Sequence, residues 1–259
     1  MIHGFCLDHR LLLGLDPVFA AAGRWRRVYV DLPGMGLSAA GAGINSSDSV
    51  AEAVVAFARK TFGREKFAVL GNSFGGMMAR HLVAEFGDQI LGLALLCPVA
   101  VAEHSSRDVP PQTVLHADPV LLAGLDQWEA AEYQSMAVVQ SPENWVLFRD
   151  AVLPGLRAFD PAAIERISSS YSLAVEPEAR SAPFPGPTLI ITGRQDHVVG
   201  FWDHLALLDH YVHATFVVLD RAGHNAPLDQ PELTVALLAE WLGRMADQVA
   251  ATPSETLLH

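Results

Sequence analysis

Residues 67–76 read Phe-Ala-Val-Leu-Gly-Asn-Ser-Phe-Gly-Gly, and this stretch decides the fold. Its first four residues form an apolar run of strand length, and the apolar residues after Ser73 recur at helical spacing. A serine in so sharp a turn between strand and helix adopts strained backbone and presents its hydroxyl above the sheet. Gly71 and Gly75 lack the Cβ atoms that would collide across the turn, and Gly76 lets the helix pack close to the sheet. The stretch therefore predicts a nucleophilic serine at position 73.

An acid and a histidine follow two later strand candidates. Asp196 comes shortly after the apolar run 188–192, and His224 comes shortly after the run 214–219. Both runs are rich in the β-branched and apolar residues that strands favour. The carboxyl ends of parallel strands meet at one edge of an α/β sheet, which is where the sites of such folds lie. We therefore expect Ser73, Asp196 and His224 to converge at that edge.

Serine, then acid, then histidine is also the chain order of the α/β-hydrolase fold. The sequence resembles the α/β-hydrolase superfamily at these positions, at His3-Gly4-Phe5, and at 31–38, which read Asp-Leu-Pro-Gly-Met-Gly-Leu-Ser. The resemblance extends from residue 3 to about residue 245, with a middle that does not match. It implies an α/β fold with a mostly parallel sheet, helices on both faces and an inserted helical cap. It also implies a serine hydrolase close to the carboxylesterases and the meta-cleavage-product hydrolases.

The chemistry of the three side chains assigns their expected roles. A serine hydroxyl is a poor nucleophile without a base, and His224 can take its proton and return it to the leaving group. Asp196 would hold the imidazole in the correct tautomer and stabilise its charged form. Glu103, after the preceding strand, is the alternative acid, whereas Asp220 is expected only to end a strand.

Backbone N–H groups are expected to bind the oxyanion. The N–H of Phe74, directly after the nucleophile, is one donor, and by resemblance the N–H of Phe5 is the other. By the same resemblance, His3 and Gly4 shape the loop that carries Phe5. Asp31 and the turn that follows it are interpreted as structural.

The pattern of strands and helices predicts how the chain is organised. Strand and helix patterns alternate, which is typical of a parallel, right-handed sheet covered by helices. Strands are expected at 27–31 and 90–97, and Ser49 with Glu52 predicts a capping box. Because only Met1 and Ile2 precede His3, the N-terminal strands of the usual fold are expected to be missing or shortened.

The segment after the strand at 90–97 has no strand pattern. Asp118-Pro119, Ser141-Pro142 and Asp160-Pro161 each place a proline after a capping residue and predict three helix starts. Several large cap residues are expected in the core rather than in a pocket: Trp128, Tyr133, Met136, Trp145 and Phe148. The predicted domains are an α/β-hydrolase core of 1–98 and 182–248, a helical cap of 99–181, and a loose C-terminal tail of 249–259.

Composition excludes several classes of protein. The chain has 259 residues, is 51% hydrophobic and carries a net charge of −12, which argues against a nucleic-acid partner or an anionic membrane. The longest apolar run, 91–102, is interrupted by Pro98 and is too short to span a bilayer. No signal peptide is recognisable at the start. The two cysteines, Cys6 and Cys97, are read as reduced packing residues of a cytoplasmic protein.

No metal or cofactor is expected, because the triad and a backbone oxyanion hole complete the chemistry. His197, His204, His210 and His213 match no zinc spacing and are interpreted as surface histidines.

The expected reaction is hydrolysis of a carboxylic ester through an acyl-enzyme, on a small-molecule substrate with an apolar part. One alternative is hydrolysis of a carbon–carbon bond in a ring-cleavage product, for which Arg149, Arg157 and Arg166 are the candidate carboxylate ligands by location. Another alternative is a ligand receptor that keeps the triad. The oligomeric state stays open.

Overall fold

A computed structural model describes residues 1–23 and 25–251. The sheet in this part of the chain has four strands in the order β1-β2-β3-β4, and each neighbouring pair is parallel. Its strands are β1 (Phe67–Asn72), β2 (Ile90–Leu96), β3 (Thr188–Gly193) and β4 (Ala214–Leu219). The predicted α/β class and the four apolar runs are confirmed.

Helices separate the strands along the chain. They are α1 (Arg10–Leu13), α2 (Asp16–Ala21), α3 (Ser47–Phe62), α4 (Phe74–Phe86), α5 (Pro119–Ala123), α6 (Gln127–Met136), α7 (Pro142–Ala151), α8 (Leu153–Leu156), α9 (Pro161–Ser168), α10 (Ala226–Asp229) and α11 (Pro231–Ala251). Short 3₁₀ helices are formed by Gly87–Gln89, His104–Ser106, Pro177–Ala179 and Trp202–Asp209. Within the described residues, no helix is long and apolar enough to cross a bilayer.

The sheet carries helices on both faces. A Cβ at Gly71 would lie 2.8 Å from the side chain of Ala79 in α4, whereas a Cβ at Gly92 would lie 2.5 Å from Met245 in α11. Gly92 pairs with Ala68 across β1 and β2. Because Ala68 and Gly71 are three residues apart on one strand, they point to opposite faces. Helices α4 and α11 therefore cover opposite sides, and residues of β2 and β3 between them are buried.

The strand predicted at 27–31 is wrong. Only Val30 pairs there, in an isolated parallel bridge with Ile2, which forms a second parallel bridge with Gly71. Ile2 thus lies between Val30 and the end of β1, and its single pairing position leaves the neighbours of Val30 without a partner strand. The strand expected before His3 is reduced to this one residue.

Helix α3 begins earlier than its predicted cap. Ser46 has extended backbone, its hydroxyl accepts the N–H of Ser49, and the side chain of Ser49 accepts the N–H of Ser46. The capping box therefore joins Ser46 and Ser49, so the box predicted between Ser49 and Glu52 is wrong. Three serines within four residues offered two similar starts, and the extended backbone at Ser46 distinguishes them.

Between β2 and β3 the chain is helical, as predicted. The side chains of Asp118, Ser141 and Asp160 each accept a backbone N–H in the first turn of α5, α7 and α9. The division of the chain into a core of 1–98 and 182–248 and a cap of 99–181 stays a prediction.

The large residues of the predicted cap differ in how deeply they are buried. Tyr133, Trp145 and Phe148 are buried and pack edge to face or stacked, with ring centroids 5.2 to 6.2 Å apart. Trp128 is exposed and lies under the guanidinium of Arg157.

The loose tail predicted from residue 249 is wrong in its first residues, because α11 extends to Ala251, and 252–259 lie outside the described residues.

Candidate active site

Ser73 occupies the turn between β1 and α4. Its backbone has φ 52° and ψ −117°, a conformation that L-residues rarely adopt. Two glycines make room for it: a Cβ at Gly71 would collide with the Gly75 carbonyl, and a Cβ at Gly75 would collide with the Ile2 carbonyl. The Ser73 N–H donates to the carbonyl of Leu96, 3.0 Å away. The surrounding backbone therefore holds the serine in its strained conformation.

Ser73, His224 and Asp196 are brought together in one hydrogen-bonded chain. Nε2 of His224 lies 2.9 Å from Oγ of Ser73, and its Nδ1 lies 3.0 Å from Oδ2 of Asp196. Oδ1 of Asp196 accepts the N–H groups of Val198 and Val199. Burial opposes the ionisation of Asp196, but His224 and these two N–H groups hold its pKa below the usual value. A buried carboxylate therefore faces the imidazole, which faces the serine.

The loop 3–5 passes directly beside the nucleophile. A Cβ at Gly4 would lie 2.9 Å from Oδ1 of Asn72 and 3.2 Å from Cβ of Ser73, so any larger residue would push the loop away. The ring of Phe5 lies 5.1 Å from the ring of Phe74, centroid to centroid. Phe74 is the first residue of α4, where backbone N–H groups have no partner within the helix. The loop 3–5 and the first residue of α4 thus lie next to Ser73, and the donor roles of the Phe5 and Phe74 N–H groups stay a prediction.

His3 fixes this loop from below. Its Nε2 accepts the N–H of Leu32 at 3.0 Å, so the ring proton is on Nδ1, which donates to the Gly4 carbonyl at 2.7 Å. The side chain is fully buried, and burial lowers its pKa, although Asp31 at 4.0 Å acts in the opposite direction. A neutral His3 is therefore part of the folded loop.

We expect this histidine to make the protein less stable in mild acid. Because its folded pKa lies below the ordinary 6.5, the unfolded chain binds the proton more readily. The contribution of the neutral ring to stability is complete above pH 6.5 and is lost below it, by at most about 1.4 kcal/mol per pH unit. Urea unfolding at about pH 7.5 and about pH 5 should show a smaller acid loss for His3→Gln than for the wild type. Equal losses in the two proteins would contradict this assignment.

The two alternative acids, Glu103 and Asp220, have other hydrogen-bond partners. Glu103 is exposed and accepts hydrogen bonds from Ser105, and the carboxylate of Asp220 accepts one from Gln195. Among the described residues, Asp196 is the carboxylate that is hydrogen-bonded to His224. Asp31 accepts the N–H groups of His9 and Leu37, which fits its structural interpretation.

The interpretation of the four later histidines as surface residues is wrong for two of them. His204 is fully buried, with Nε2 2.7 Å from the Pro98 carbonyl, and His210 is buried beside Tyr211. His204 belongs to the 3₁₀ helix Trp202–Asp209 and His210 directly follows it, and such a short irregular segment has no periodic pattern to reveal its buried face.

Two groups of possible metal ligands occur in the described part of the chain. Cys97, Asp196 and His224 form the first group, and Asp8, His9 and Asp31 form the second. In the first group, Asp196 and His224 are already hydrogen-bonded to each other. In the second group, the carboxylate of Asp8 accepts a hydrogen bond from Arg10, and the carboxylate of Asp31 accepts one from His9.

A cavity of about 830 Å³ opens above Ser73. Its apolar wall includes side chains from the loop 3–7 and from the helical segment: Leu7, Val99, Met136, Phe148, Val152 and Leu156. Met136 and Phe148 therefore face the cavity as well as the cap interior. The polar part of the lining includes residues of 168–172 together with Glu103, Arg107 and Glu132.

Sequence reasoning missed Arg107, Tyr171 and Asp229. Asp229 accepts the N–H of Gly223, next to His224, and an N–H of Asn144 in α7. Burial raises the pKa of Asp229 to about 7. Its position shortly after His224 was the one available signal, whereas Arg107 and Tyr171 lie in segments without a motif.

Comparison with known proteins places the chain in a family. A 25% identical relative, the pimeloyl-[acyl-carrier protein] methyl ester esterase of Aeromonas hydrophila, aligns over 94% of each chain. A 27% identical relative, the 2-succinyl-6-hydroxy-2,4-cyclohexadiene-1-carboxylate synthase of Escherichia coli O157:H7, aligns over 93% of this chain and 92% of its own. The crystal structure of an alpha/beta superfamily hydrolase from Oenococcus oeni superposes with a TM-score of 0.84 at 29% identity, covering 95% of this chain and 92% of that one. The family model described as "Alpha/beta hydrolase family" matches residues 1–237, so the chain is a hydrolase that belongs to the alpha/beta hydrolase family.

Proposed function

We propose that this protein is a cofactor-independent serine hydrolase that cleaves carboxylic esters of small molecules through an acyl-enzyme on Ser73. The observation that carries the proposal is the continuous contact from Asp196 through His224 to Ser73, at 3.0 and 2.9 Å, beneath a mostly apolar cavity. Each distance lies in the range of a formed hydrogen bond, so the base is already in reach of the nucleophile.

The chemistry follows from these positions. Oγ of Ser73 attacks the ester carbonyl carbon while Nε2 of His224 takes its proton. The carbonyl oxygen becomes negative and is bound by the N–H groups of Phe5 and Phe74. Nε2 then gives its proton to the departing alkoxide, and the acyl group stays on Ser73. A water molecule repeats the sequence with the acyl-enzyme, releasing the acid.

The wall of the cavity supports a substrate with an apolar part. Pockets of this kind bind mainly through apolar contact, and a few placed polar groups set orientation. The helical segment between β2 and β3 supplies much of this wall, and we propose that it acts as the cap that selects the acyl group. A cytoplasmic location stays a prediction from the cysteine content.

Carbon–carbon hydrolysis is the second candidate, and the arginines argue against it. A dianionic ring-cleavage product needs a cation in the pocket that is not already paired. Arg149 pairs with Asp150, Arg157 pairs with Glu129, and Arg166 donates to the carbonyl of Ile44. None of the three lines the cavity, and in Arg107, which does line it, each of the three nitrogens already donates to a backbone carbonyl.

The names of the two relatives state different reactions. The Aeromonas relative is named as a methyl ester esterase, whereas the Escherichia relative is named as a synthase of a cyclohexadiene carboxylate. The ester reading agrees with the first name and with the paired cap arginines.

A substrate panel tests this proposal. Nitrophenyl esters of increasing acyl length and vinylogous diketone acids are compared on one enzyme preparation, with Ser73→Ala as the control. We expect kcat/KM on the esters to rise with acyl length until the cavity is filled. The kcat/KM on the best ester should exceed that on every diketone acid by at least about tenfold, which corresponds to about 1.4 kcal/mol of transition-state binding. The opposite preference, lost on replacing one cap arginine, would assign carbon–carbon hydrolysis. Binding without turnover would assign a receptor.

A further inference from the structure

Arg107 lies at the wall of the cavity, directly after the 3₁₀ helix His104–Ser106. Its guanidinium donates three hydrogen bonds to backbone carbonyls: Nε to Val101 at 2.8 Å, Nη2 to Ala102 at 2.9 Å, and Nη1 to Val198 at 2.9 Å. The first two acceptors belong to the loop after β2, and the third belongs to the loop that carries Asp196 after β3. One side chain thus ties together the loops of two neighbouring strands.

The Val198 carbonyl is part of a peptide that also touches the catalytic acid. The N–H of that same peptide unit belongs to Val199, and it donates to Oδ1 of Asp196 at 3.0 Å. A cation at the oxygen of a peptide draws electrons toward itself and strengthens the N–H at the other end as a donor. The positive charge of Arg107 therefore acts on Asp196 through a single peptide unit.

The contacts continue to the nucleophile. Asp196 faces His224 with its other oxygen, and His224 faces Ser73. Cation, peptide, carboxylate, imidazole and hydroxyl form one unbroken line of hydrogen bonds. Each member is orientated by the one before it.

The same guanidinium also reaches the oxyanion side of the site. Burial raises the pKa of the Tyr171 hydroxyl to about 12, and the positive charge of Arg107 acts against this effect. The Tyr171 ring packs on Phe5 and Phe74, with centroids 5.3 and 5.2 Å away. Arg107 is therefore bonded to the acid loop on one side, and its charge acts on the aromatic support of the expected oxyanion donors on the other.

Its contacts distinguish Arg107 from an anion-binding arginine. Within the described residues, it forms no ion pair with a carboxylate within 4.0 Å, and its three nitrogens are all engaged with carbonyl oxygens. An arginine used in this way holds backbone in place. Its charge is left to act on the nearest anion along the hydrogen bonds, which is Asp196.

We propose that Arg107 is a positioning residue of the catalytic triad, which holds and polarises the Val198–Val199 peptide so that Asp196 stays ionised and aimed at Nδ1 of His224. The proposal rests on the serine mechanism of the proposed function but not on the identity of the ester. It predicts that Arg107 acts on the reactivity of Ser73 mainly through Asp196.

The test measures how fast a fluorophosphonate labels Ser73, which needs no knowledge of the substrate. In that reaction Oγ of Ser73 forms a bond to phosphorus, fluoride leaves, and His224 takes the serine proton. We expect Arg107→Met to slow labelling by about tenfold to a hundredfold, the range for a misplaced catalytic group, and Arg107→Lys to retain part of the rate. Arg166→Met is the matched control, since Arg166 also donates to one backbone carbonyl but lies away from the site.

A double-mutant cycle separates positioning from folding. In an Asp196→Asn background, Arg107→Met should cause little further loss, because the residue through which it mainly acts has been neutralised. A full additional loss, or unchanged labelling in the single variant, would overturn the proposal. If Arg107→Met fails to fold, as judged by its melting temperature, the same cycle with Arg107→Lys decides. Wild-type protein that does not label at Ser73 would refute the serine mechanism itself, whereas labelling without ester turnover would refute only the ester.

Discussion

Single replacements of Ser73, His224 and Asp196 are expected to abolish nearly all turnover, and combining them is expected to add little. The three side chains form one hydrogen-bonded unit, so after the nucleophile or its base is removed the remaining side chains can no longer contribute to the reaction. Ser73→Ala and His224→Ala should each lower kcat by about 10⁴- to 10⁶-fold, and the double variant should be no worse than the poorer single variant. The measurement is kcat on the best ester of the panel, with intact mass and melting temperature checked for every variant.

The identity of the acid is decided in the same series. Asp196→Asn should lower kcat by about 10³- to 10⁴-fold, because the imidazole is then left in the wrong tautomer. Glu103→Gln should leave most of the activity, since Glu103 is exposed and bonded to Ser105. Near-normal kcat in Asp196→Asn, together with loss in Glu103→Gln, would show that the acid has been assigned to the wrong residue.

Gly75→Ala is expected to have one of the largest effects on stability of any single methyl group added near the site. A Cβ there would collide with the carbonyl oxygens of Ile2 and His3, which are backbone atoms that cannot rotate away. Either the turn around Ser73 opens or the loop 3–5 moves outward. We expect a loss of at least about 3 kcal/mol in the free energy of unfolding, together with loss of activity.

Gly14→Ala is the matched control for this change. Gly14 has helical backbone with φ −60°, and nothing lies within 4 Å of the position that its Cβ would occupy. Urea unfolding of the two variants should therefore differ by about 3 kcal/mol or more, while Gly14→Ala stays close to the wild type. A Gly75→Ala protein as stable and as active as the wild type would mean that the turn is looser than its geometry indicates.

The elements with a physical signature in the sequence could be predicted. The largely buried strands β1 to β3 and the half-buried β4 read as mostly apolar runs, and the turn at Ser73 is marked by glycines at which a Cβ would have no room. The convergence of Ser73, Asp196 and His224 followed from parallel topology, which places successive strand ends at one edge. The structure brings these residues to hydrogen-bonding distance.

What the sequence could not predict depends on contacts between distant segments. The stretch around Val30 has strand composition, but a strand also needs a partner, and Ile2 offers only one position. The burial of His204 is imposed by the Pro98 carbonyl, more than a hundred residues earlier. The contacts of Arg107 and Tyr171 form only when the loops after β2 and β3 and the helical segment have come together.

Parallel pairing has a consequence for how the site assembles during folding. Strands β1 and β2 are joined by α4 and the short 3₁₀ helix Gly87–Gln89, so these two strands pair through contacts that are close in the chain. The pairing of β2 with β3 must first close a loop that contains the whole helical segment, and closing long loops slows folding. A half-folded chain would therefore form the β1–β2 pair before His224 arrives. Because a serine hydroxyl is a poor nucleophile without its base, hydrolytic activity is acquired only when the last strands have paired.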